Sequence, residues 1–300
     1  MFSVVIPLYN KEYSIESCIK SVISQVLLPS EIIVINDGST DNSCAIVEKF
    51  FFKEIESGFI KLVTQENKGV SAARNAGVKI AQSDLICFLD ADDEWADDFL
   101  ESILLLTDRF PDAGVYCLQH QTKKLNFVGA NQSSYPVGYI GLVDNFFKRS
   151  LKGSLLNSSK ICVKKEAIFN VGGFPDGKKS GEDLIVWIKL AKLYSIAFYN
   201  KICVTVNVLQ DNSRSGRDIT VPYPLEYYSD SGKRKGLGMW GRIYLMKVYL
   251  AHLLDSLVSK NYQGYKLRLS VGKKIFPVAS FFLGFLLFPL YLMKSNEKTN

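Results

Sequence analysis

The sequence predicts an α/β fold in which a mostly parallel sheet is flanked by helices and followed by a helical, basic and apolar carboxyl-terminal extension. Over the first hundred residues, short buried apolar runs alternate with stretches whose apolar residues recur at three-four spacing, as in strands and amphipathic helices. Such alternation is typical of parallel strands joined by right-handed crossovers. With 300 residues, 47% of them hydrophobic and 22% charged, the chain can bury a full core. That composition excludes a disordered tail, a collagen-like fibre and a disulfide-stapled miniprotein.

Local signals justify the elements of the first half in chain order. The apolar runs at 3–7 and 31–37 predict buried strands, and Gly38-Ser39-Thr40-Asp41 predicts a turn and a helix N-cap after the second of them. The predicted order is a strand at 3–7, a helix at 15–26, a strand at 31–37, a helix at 45–50, a strand at 60–64, a helix at 71–81 and a strand at 85–89.

The second half is less regular. It predicts a strand at 114–119, a polar flap at 121–139, a strand at 161–163, a helix at 183–193, a hairpin at 195–208, a mobile loop at 210–235 and an amphipathic helix at 244–258. We expect two regions, a catalytic domain at 1–220 and a helical, membrane-associating region at 221–300.

Polar clusters follow three of the predicted strands. They are Tyr9-Asn10, Asn36-Asp37-Gly38 and Asp90-Ala91-Asp92-Asp93. Because parallel sheets bind ligands at the carboxyl ends of their strands, we expect the clusters to meet at one rim.

The acidic cluster predicts a divalent cation. Asp90, Asp92 and Asp93 lie within four positions after five apolar residues, and burying such like charges without a counter-ion is costly. Mg²⁺ and Mn²⁺ prefer carboxylate, water and phosphate oxygens. The alternative is a solvated acidic turn that caps the next helix.

Three further motifs each allow two interpretations. Asp37 is either part of a helix-capping turn or the carboxylate that accepts a base N–H. Arg74 is either a phosphate ligand or an ordinary surface arginine. Glu182 and Asp183 are either helix N-terminal charges or a source of a general base.

Charge is distributed unevenly along the chain. Residues 1–100 hold 8 Lys and Arg against 16 Asp and Glu, whereas residues 201–300 hold 15 against 6. The basic carboxyl third is also rich in Leu, Phe and Tyr, which favours an anionic membrane surface and argues against nucleic acid. The run 275–293 carries no charge and would just span a bilayer, although Pro277 and Pro289 interrupt it.

The remaining composition points to the cytosol. The apolar run at the amino end has no basic flank and is interrupted at once by Pro7, so we expect no secretory signal. The six cysteines form no Cys-x-x-Cys pair and the chain has only two histidines, which argues against a zinc or disulfide centre and predicts free thiols. We expect the cytoplasmic face of the cell membrane, either as a peripheral protein or with one carboxyl-terminal membrane segment.

Five motifs together resemble family 2 glycosyltransferases, in order and at family-like spacing. They are VVIPLYN (4–10), INDGSTDNS (35–43), ENKGVSAARNAG (66–77), FLDADD (88–93) and GEDLIVW (181–187), and the resemblance covers residues 2 to about 215. It implies a Rossmann-like, GT-A-type fold that binds a nucleotide-diphospho-sugar donor. It also implies Mn²⁺ or Mg²⁺ as cofactor.

The resemblance implies a role for individual residues. Asp37 would meet the base, Asp90 the ribose and Asp92 the metal, with Asp183 as catalytic base. The other implied contacts are Asp93 to the metal, Glu182 at the catalytic position, and Pro7, Tyr9, Asn10, Gly38, Lys68, Arg74 and Ala91 to the nucleotide-sugar. The Gly172-Gly173-Phe174 turn is similar to the acceptor-side loop of the family, and Gln210 stands where many relatives have His.

The expected function is therefore an inverting transfer of a sugar, from a UDP-sugar above other donors, to a hydroxyl of a saccharide acceptor. The basic tail favours a lipid-linked saccharide of a bacterial surface polymer as the acceptor. Two alternatives stay open at this point: a glycoside hydrolase, which also uses two carboxylates, and a catalytically inactive binder of sugar nucleotides.

Overall fold

The computed structural model describes residues 1–125, 127–208, 220–281 and 283, and within them it has the predicted mixed α/β architecture. The strands are β1 (Phe2–Leu8), β2 (Glu31–Asn36), β3 (Ile60–Thr64), β4 (Leu85–Phe88), β5 (Glu94–Trp95), β6 (Val115–Lys124), β7 (Phe127–Ala130), β8 (Ile140–Leu142), β9 (Ile161–Lys164) and β10 (Ile196–Asn207). The helices are α1 (Ile15–Ile23), α2 (Ser43–Phe50), α3 (Phe52–Glu56), α4 (Val70–Ile80), α5 (Phe99–Arg109), α6 (Phe146–Arg149), α7 (Lys165–Asn170), α8 (Glu182–Leu193), α9 (Tyr223–Tyr227), α10 (Ser231–Lys235), α11 (Gly238–Val258) and α12 (Tyr262–Ile275).

The strands form one sheet in the order β3-β2-β1-β4-β9-β6-β10-β5, with β7 beside β6 and β8 beside β10. Strands β3, β2, β1 and β4 are parallel, so their carboxyl ends lie at one edge. Strand β9 runs antiparallel between β4 and β6. Both β1 and β2 are buried along their whole length, as strands covered on both faces are.

Helices pack on both faces of β1. Val4 and Ile6 belong to the apolar core that also holds the buried side chains of α1 and α5. Val5 points to the other face, where α4 approaches so closely that a Cβ on Gly77 would lie 2.3 Å from a Val5 methyl group. Glycine is therefore required at this helix position for steric reasons.

Two predictions for the second half are wrong. The hairpin expected at 195–208 is the single strand β10, whose register against β6 shifts between Phe198 and Ile202. The loop expected at 210–235 contains the short helices α9 and α10, with residues 210–219 outside the described part. The expected flap at 121–139 holds the end of β6 and its antiparallel partner β7.

The chain divides into two compact units. The first comprises residues 1–177 and 183–210, and the second comprises residues 178–182 and 211–300. The predicted boundary at 220 falls beside undescribed residues and stays a prediction. The six cysteines are all free, as expected. Among the described residues, no helix combines the length and the apolar character needed to cross a bilayer. Most of the uncharged run 275–293 lies outside the description.

Candidate active site

The chain segments that follow β1, β2 and β4 meet at Lys11. The Lys11 backbone amide donates to the Ser43 hydroxyl at 2.7 Å, at the start of the helix after β2. The Lys11 ammonium group lies 2.8 Å from a carboxylate oxygen of Asp92, in the turn after β4. One residue thus joins the ends of three neighbouring strands, and the polar clusters of the sequence lie at one edge of the sheet.

A second link between the first two loops is made by Asn10. Its backbone amide donates to the Ser39 hydroxyl at 3.1 Å, and its side-chain carbonyl accepts from the Thr40 amide at 2.8 Å. Asn10 has a φ of 50°, a left-handed conformation that asparagine tolerates better than most residues. Next to it, Tyr9 is exposed and Pro7 is buried within β1.

Asp37 is buried and fixes the loop that precedes α4. Its carboxylate accepts hydrogen bonds from the Gln65 side chain at 2.7 Å and from the backbone amides of Lys68 at 2.9 Å and Gly69 at 2.8 Å. These bonds hold the Lys68 backbone while its side chain stays exposed. The next residue, Gly38, has a φ of 71°, and a Cβ there would lie 3.0 Å from the Asn67 amide.

The turn after β4 concentrates negative charge in a partly buried place. Burial raises the pKa of Asp92, and the Asp90 charge adds to this, whereas Lys11 opposes it. Burial also raises the pKa of Asp93 well above its usual range, again with the help of Asp90 and Asp92. Asp93 and Ala91 are buried, so the alternative of a solvated acidic turn is wrong for this part of the cluster.

Ser159 holds this acidic turn in shape. Its hydroxyl accepts from the Asp90 amide at 3.2 Å and donates to an Asp93 carboxylate oxygen at 2.5 Å. Its carbonyl accepts from the Trp95 indole N–H at 2.6 Å. The other Asp93 oxygen accepts from the Asn207 amide at 3.0 Å, so both oxygens of this carboxylate are engaged within the protein.

Arg74 lies inside the protein, so the surface-arginine alternative is wrong. Its guanidinium donates to an Asp90 carboxylate oxygen at 2.6 Å and sits 5.3 Å from the centre of the Phe174 ring. Asn75, the next residue of α4, bonds both the amide and the carbonyl of Phe174, at 2.9 and 2.8 Å. The adjacent Gly173 has a φ of 66°, and a Cβ there would lie 2.8 Å from the Asn75 side-chain oxygen.

Phe174 connects this rim to the helix that carries Asp183. The Phe174 ring packs edge-on against Trp187 of α8, with ring centres 5.7 Å apart. Asp183 lies four residues before Trp187, and residues at that spacing share one face of a helix. One Asp183 oxygen accepts from the Leu184 amide at 2.7 Å. Glu182, the first residue of α8, is buried.

Comparison with known proteins now decides the family. The model of glycosyl transferase family 2 matches residues 3–174, more than half of the chain. The chain belongs to glycosyltransferase family 2.

Relatives of this glycosyltransferase include the uncharacterized glycosyltransferase YibD of Escherichia coli, which is 40% identical over 104 residues, or 35% of this chain and 29% of YibD. Chondroitin synthase of Pasteurella multocida is 26% identical over 71% of this chain and 21% of its own. The chain thus spans less than a third of the length of these curated relatives.

Solved structures agree on the fold. The S. aureus TarS 1–349 structure in complex with UDP-GlcNAc superposes with a TM-score of 0.71 and 19% identity, over 91% of this chain and 81% of that one. This likeness supports the GT-A-type fold that the sequence motifs imply. The glycoside hydrolase alternative finds no support, because the matching family model is that of transferases.

The rim of this glycosyltransferase is suited to a divalent cation that is shared with a ligand. Among the described residues, no group of three or more Asp, Glu, His or Cys side chains gathers into a complete metal site. Mg²⁺ and Mn²⁺ do not require one, since they take one or two protein carboxylates and complete their shell with water and phosphate. The Asp92 side chain retains 25% of its exposure, so a cation can reach it.

Sequence reasoning missed three contributors to the site. Lys11 carried a usable signal, because it is a cation directly after the first strand. Ser159 and Asn207 carried none, because they reach the acidic turn from segments 66 and 114 positions away. Gln210, which stands where many relatives have His, lies outside the described residues.

Proposed function

We propose that the protein transfers a sugar from a nucleotide-diphosphate donor, a UDP-sugar above others, to a hydroxyl of a saccharide acceptor, with inversion at the anomeric carbon. The observation that carries this proposal is the junction at Lys11, where the ends of three parallel strands bring Asp92 and the loop of Asp37 to one rim. Open α/β sheets bind ligands at the carboxyl ends of their strands, which is this kind of edge. The UDP-GlcNAc bound to TarS supports a sugar-nucleotide donor.

The donor contacts follow from how the rim is built. Asp37 uses three hydrogen bonds to fix its loop, and an ionised carboxylate has about four acceptor sites, so one is left for a base N–H. Arg74 holds one oxygen of Asp90, whose side chain is 36% exposed, and we assign this carboxylate to the ribose. Tyr9, Asn10, Gly38 and Ala91 belong to the loops after β1, β2 and β4, Pro7 lies near the end of β1, and Lys68 lies in the loop after β3. Because Arg74 is buried on Asp90, we assign it to positioning that carboxylate.

Asp92 is the proposed metal ligand. Its side chain retains 25% of its exposure and pairs with the Lys11 ammonium group at 2.8 Å, whereas both Asp93 oxygens accept hydrogen bonds from the protein and Asp90 is held by Arg74. Asp93 therefore supports the turn in this proposal. Bound Mn²⁺ or Mg²⁺ would neutralise charge on the leaving diphosphate. The structure of GalNAc-T7 with UDP, GalNAc and Mn²⁺, which superposes with a TM-score of 0.53 and 17% identity over 69% of this chain and 44% of that one, supports this choice.

Asp183 is the proposed general base. The Leu184 amide fixes one of its oxygens, which leaves the other to take the proton from the acceptor hydroxyl as that hydroxyl attacks. Its helix reaches the donor rim through Trp187 and Phe174. Glu182 is the second candidate for this role, since it precedes Asp183 directly.

The test compares three carboxylate variants. Asp183→Asn should lower nucleoside-diphosphate release from the donor by about 10²-fold or more while donor binding, measured by thermal stabilisation, stays nearly intact. Asp108→Asn, an exposed carboxylate on α5, is the matched control. Normal turnover of Asp183→Asn removes this residue from the role, and a selective loss in Glu182→Gln moves the role to Glu182. Donor binding without turnover in the wild type would favour an inactive sugar-nucleotide binder.

The acceptor is proposed from the basic, apolar carboxyl third. Such a region fits an anionic membrane surface, so a lipid-linked saccharide of a bacterial surface polymer is the proposed acceptor, used at the cytoplasmic face of the cell membrane.

A further inference from the structure

Helix α11 is apolar on both of its sides. On one side, Tyr244, Leu245, Val248, Tyr249 and Leu253 are buried. Its contact with α12 is close, because a Cβ on Gly272 would lie 2.2 Å from the Tyr249 ring. The helix packs against the rest of its unit through this buried side.

The opposite side of α11 exposes large apolar side chains. Met239 is 65% exposed, Ile243 40%, Leu254 56% and Val258 84%. With about 100° of rotation per residue, these four positions fall within one stripe of the helix surface, and so do the partly buried Met246 and Leu250 between them. The stripe runs for about 28 Å at 1.5 Å per residue.

An exposed apolar stripe of this length indicates a binding surface. Single exposed apolar residues are ordinary on protein surfaces, but a continuous row of them marks an interaction site. A helix that is apolar all round is normally covered on all sides. In the part of the chain that the structure describes, the side chains of Val258 and Met239 both remain more than half exposed.

Positive charge borders the stripe. At about 100° per residue, Arg242 flanks the stripe on one side, and Lys247 falls within its other edge, between Leu254 and Val258. The exposed Lys235 stands just before the helix, and Asp255 is the one acidic residue in α11. Over residues 220–283 the sequence has 10 Lys and Arg against 3 Asp and Glu, so this part of the chain is strongly cationic.

We propose that the Met239–Val258 stripe of α11 docks in the interface of an anionic lipid bilayer, with Arg242 and Lys247 meeting lipid phosphates. Apolar stripes with basic borders bind in this way, lying in the plane of the membrane surface. Trp240 at one end fits this location, because tryptophan prefers the headgroup region. The net positive charge favours an anionic surface over a second, equally cationic copy of the chain. The inference rests on the membrane association proposed above and specifies the face that makes it.

The experiment measures binding of the full chain to vesicles, so it is independent of transferase activity. Sucrose-loaded vesicles of phosphatidylcholine and phosphatidylglycerol in equal amounts are compared with phosphatidylcholine alone. The wild type should bind the anionic vesicles at least tenfold more tightly. The double variant Ile243→Asp with Leu254→Asp should lose at least tenfold, whereas Val128→Asp with Val137→Asp, exposed apolar residues of the first unit, should bind like the wild type.

Further arms separate the alternatives. Leu287→Asp with Leu290→Asp places the same charge in the uncharged run 275–293 and should leave most of the binding. The proposal is overturned if the Leu287→Asp, Leu290→Asp variant loses vesicle binding while the α11 variant binds normally. It is also overturned if the wild type does not bind anionic vesicles. A dimer that light scattering detects only in the wild type, without vesicle binding, would assign the stripe to a second copy. Circular dichroism checks the fold, and unchanged nucleoside-diphosphate release in the α11 variant separates this result from the fate of the proposed function.

Discussion

Replacing Ser159 with Ala removes the hydroxyl that ties Asp90 to Asp93. Two hydrogen bonds disappear, one from the Asp90 amide and one to the Asp93 carboxylate. Both partners are left without that bond in a buried place, at about 1–3 kcal/mol for each such group. Because the amide bond is the longer one, we expect a combined loss of about 2–4 kcal/mol in the free energy of unfolding.

Ser158→Ala is the matched control. Ser158 is as buried as its neighbour, but its hydroxyl has no hydrogen-bond partner in the described part of the chain. The control should therefore change stability by less than about 1 kcal/mol. By calorimetry, Ser159→Ala should lower the midpoint of the first unit by about 4–16 °C, from 2–4 °C for each kcal/mol in a unit of this size. Equal shifts in the two variants would refute the reasoning that Ser159 supports the acidic turn.

Two further predictions concern the core. Burial lowers the pKa of Lys160 to about 7, below its value of about 10.4 in the unfolded chain. Between these two pH values the Lys160 amine is protonated in the unfolded state but neutral in the folded state, so the free energy of unfolding rises with pH by up to about 1.4 kcal/mol per pH unit. In urea unfolding, the wild type should gain up to about 2 kcal/mol relative to Lys160→Met from pH 7.0 to 8.5. An unchanged difference between the two proteins would show that Lys160 stays charged. Gly77→Ala should destabilise by about 1–3 kcal/mol despite the better helix propensity of alanine, because the new methyl meets Val5. Adding Val5→Ala should recover part of that loss in a double-mutant cycle, and strict additivity would contradict the clash.

The amino-terminal half of the fold was predictable because its signals are local. The apolar run at 31–37 is followed by a turn, and the structure ends β2 at Asn36. The error at 195–208 has a different cause. The polar triplet Tyr199-Asn200-Lys201 looks like a turn, but Asn200 bonds the carbonyls of Tyr135 and Pro136, more than sixty residues earlier. This contact keeps one strand continuous across an irregularity, and no local window contains it.

The same distinction applies to the site. The acidic residues after β4 could be assigned to the rim from strand periodicity alone, because the carboxyl ends of parallel strands share an edge. Their support could not be assigned in this way. Ser159 lies in a Ser-Ser-Lys stretch without a chemical pattern, and Arg74 gave no sign in sequence that Phe174 and Asp90 would enclose it.

The central claim is that this rim binds a nucleotide-diphospho-sugar with a divalent cation. The most direct measurement is thermal stabilisation of wild type and Asp92→Asn by a panel of UDP-, GDP- and dTDP-sugars, each with and without Mn²⁺. The account predicts that at least one sugar nucleotide, a UDP-sugar first, raises the midpoint of the wild type in a Mn²⁺-dependent manner and leaves Asp92→Asn nearly unchanged. Stabilisation by none of them, or equal stabilisation of both proteins, would contradict it.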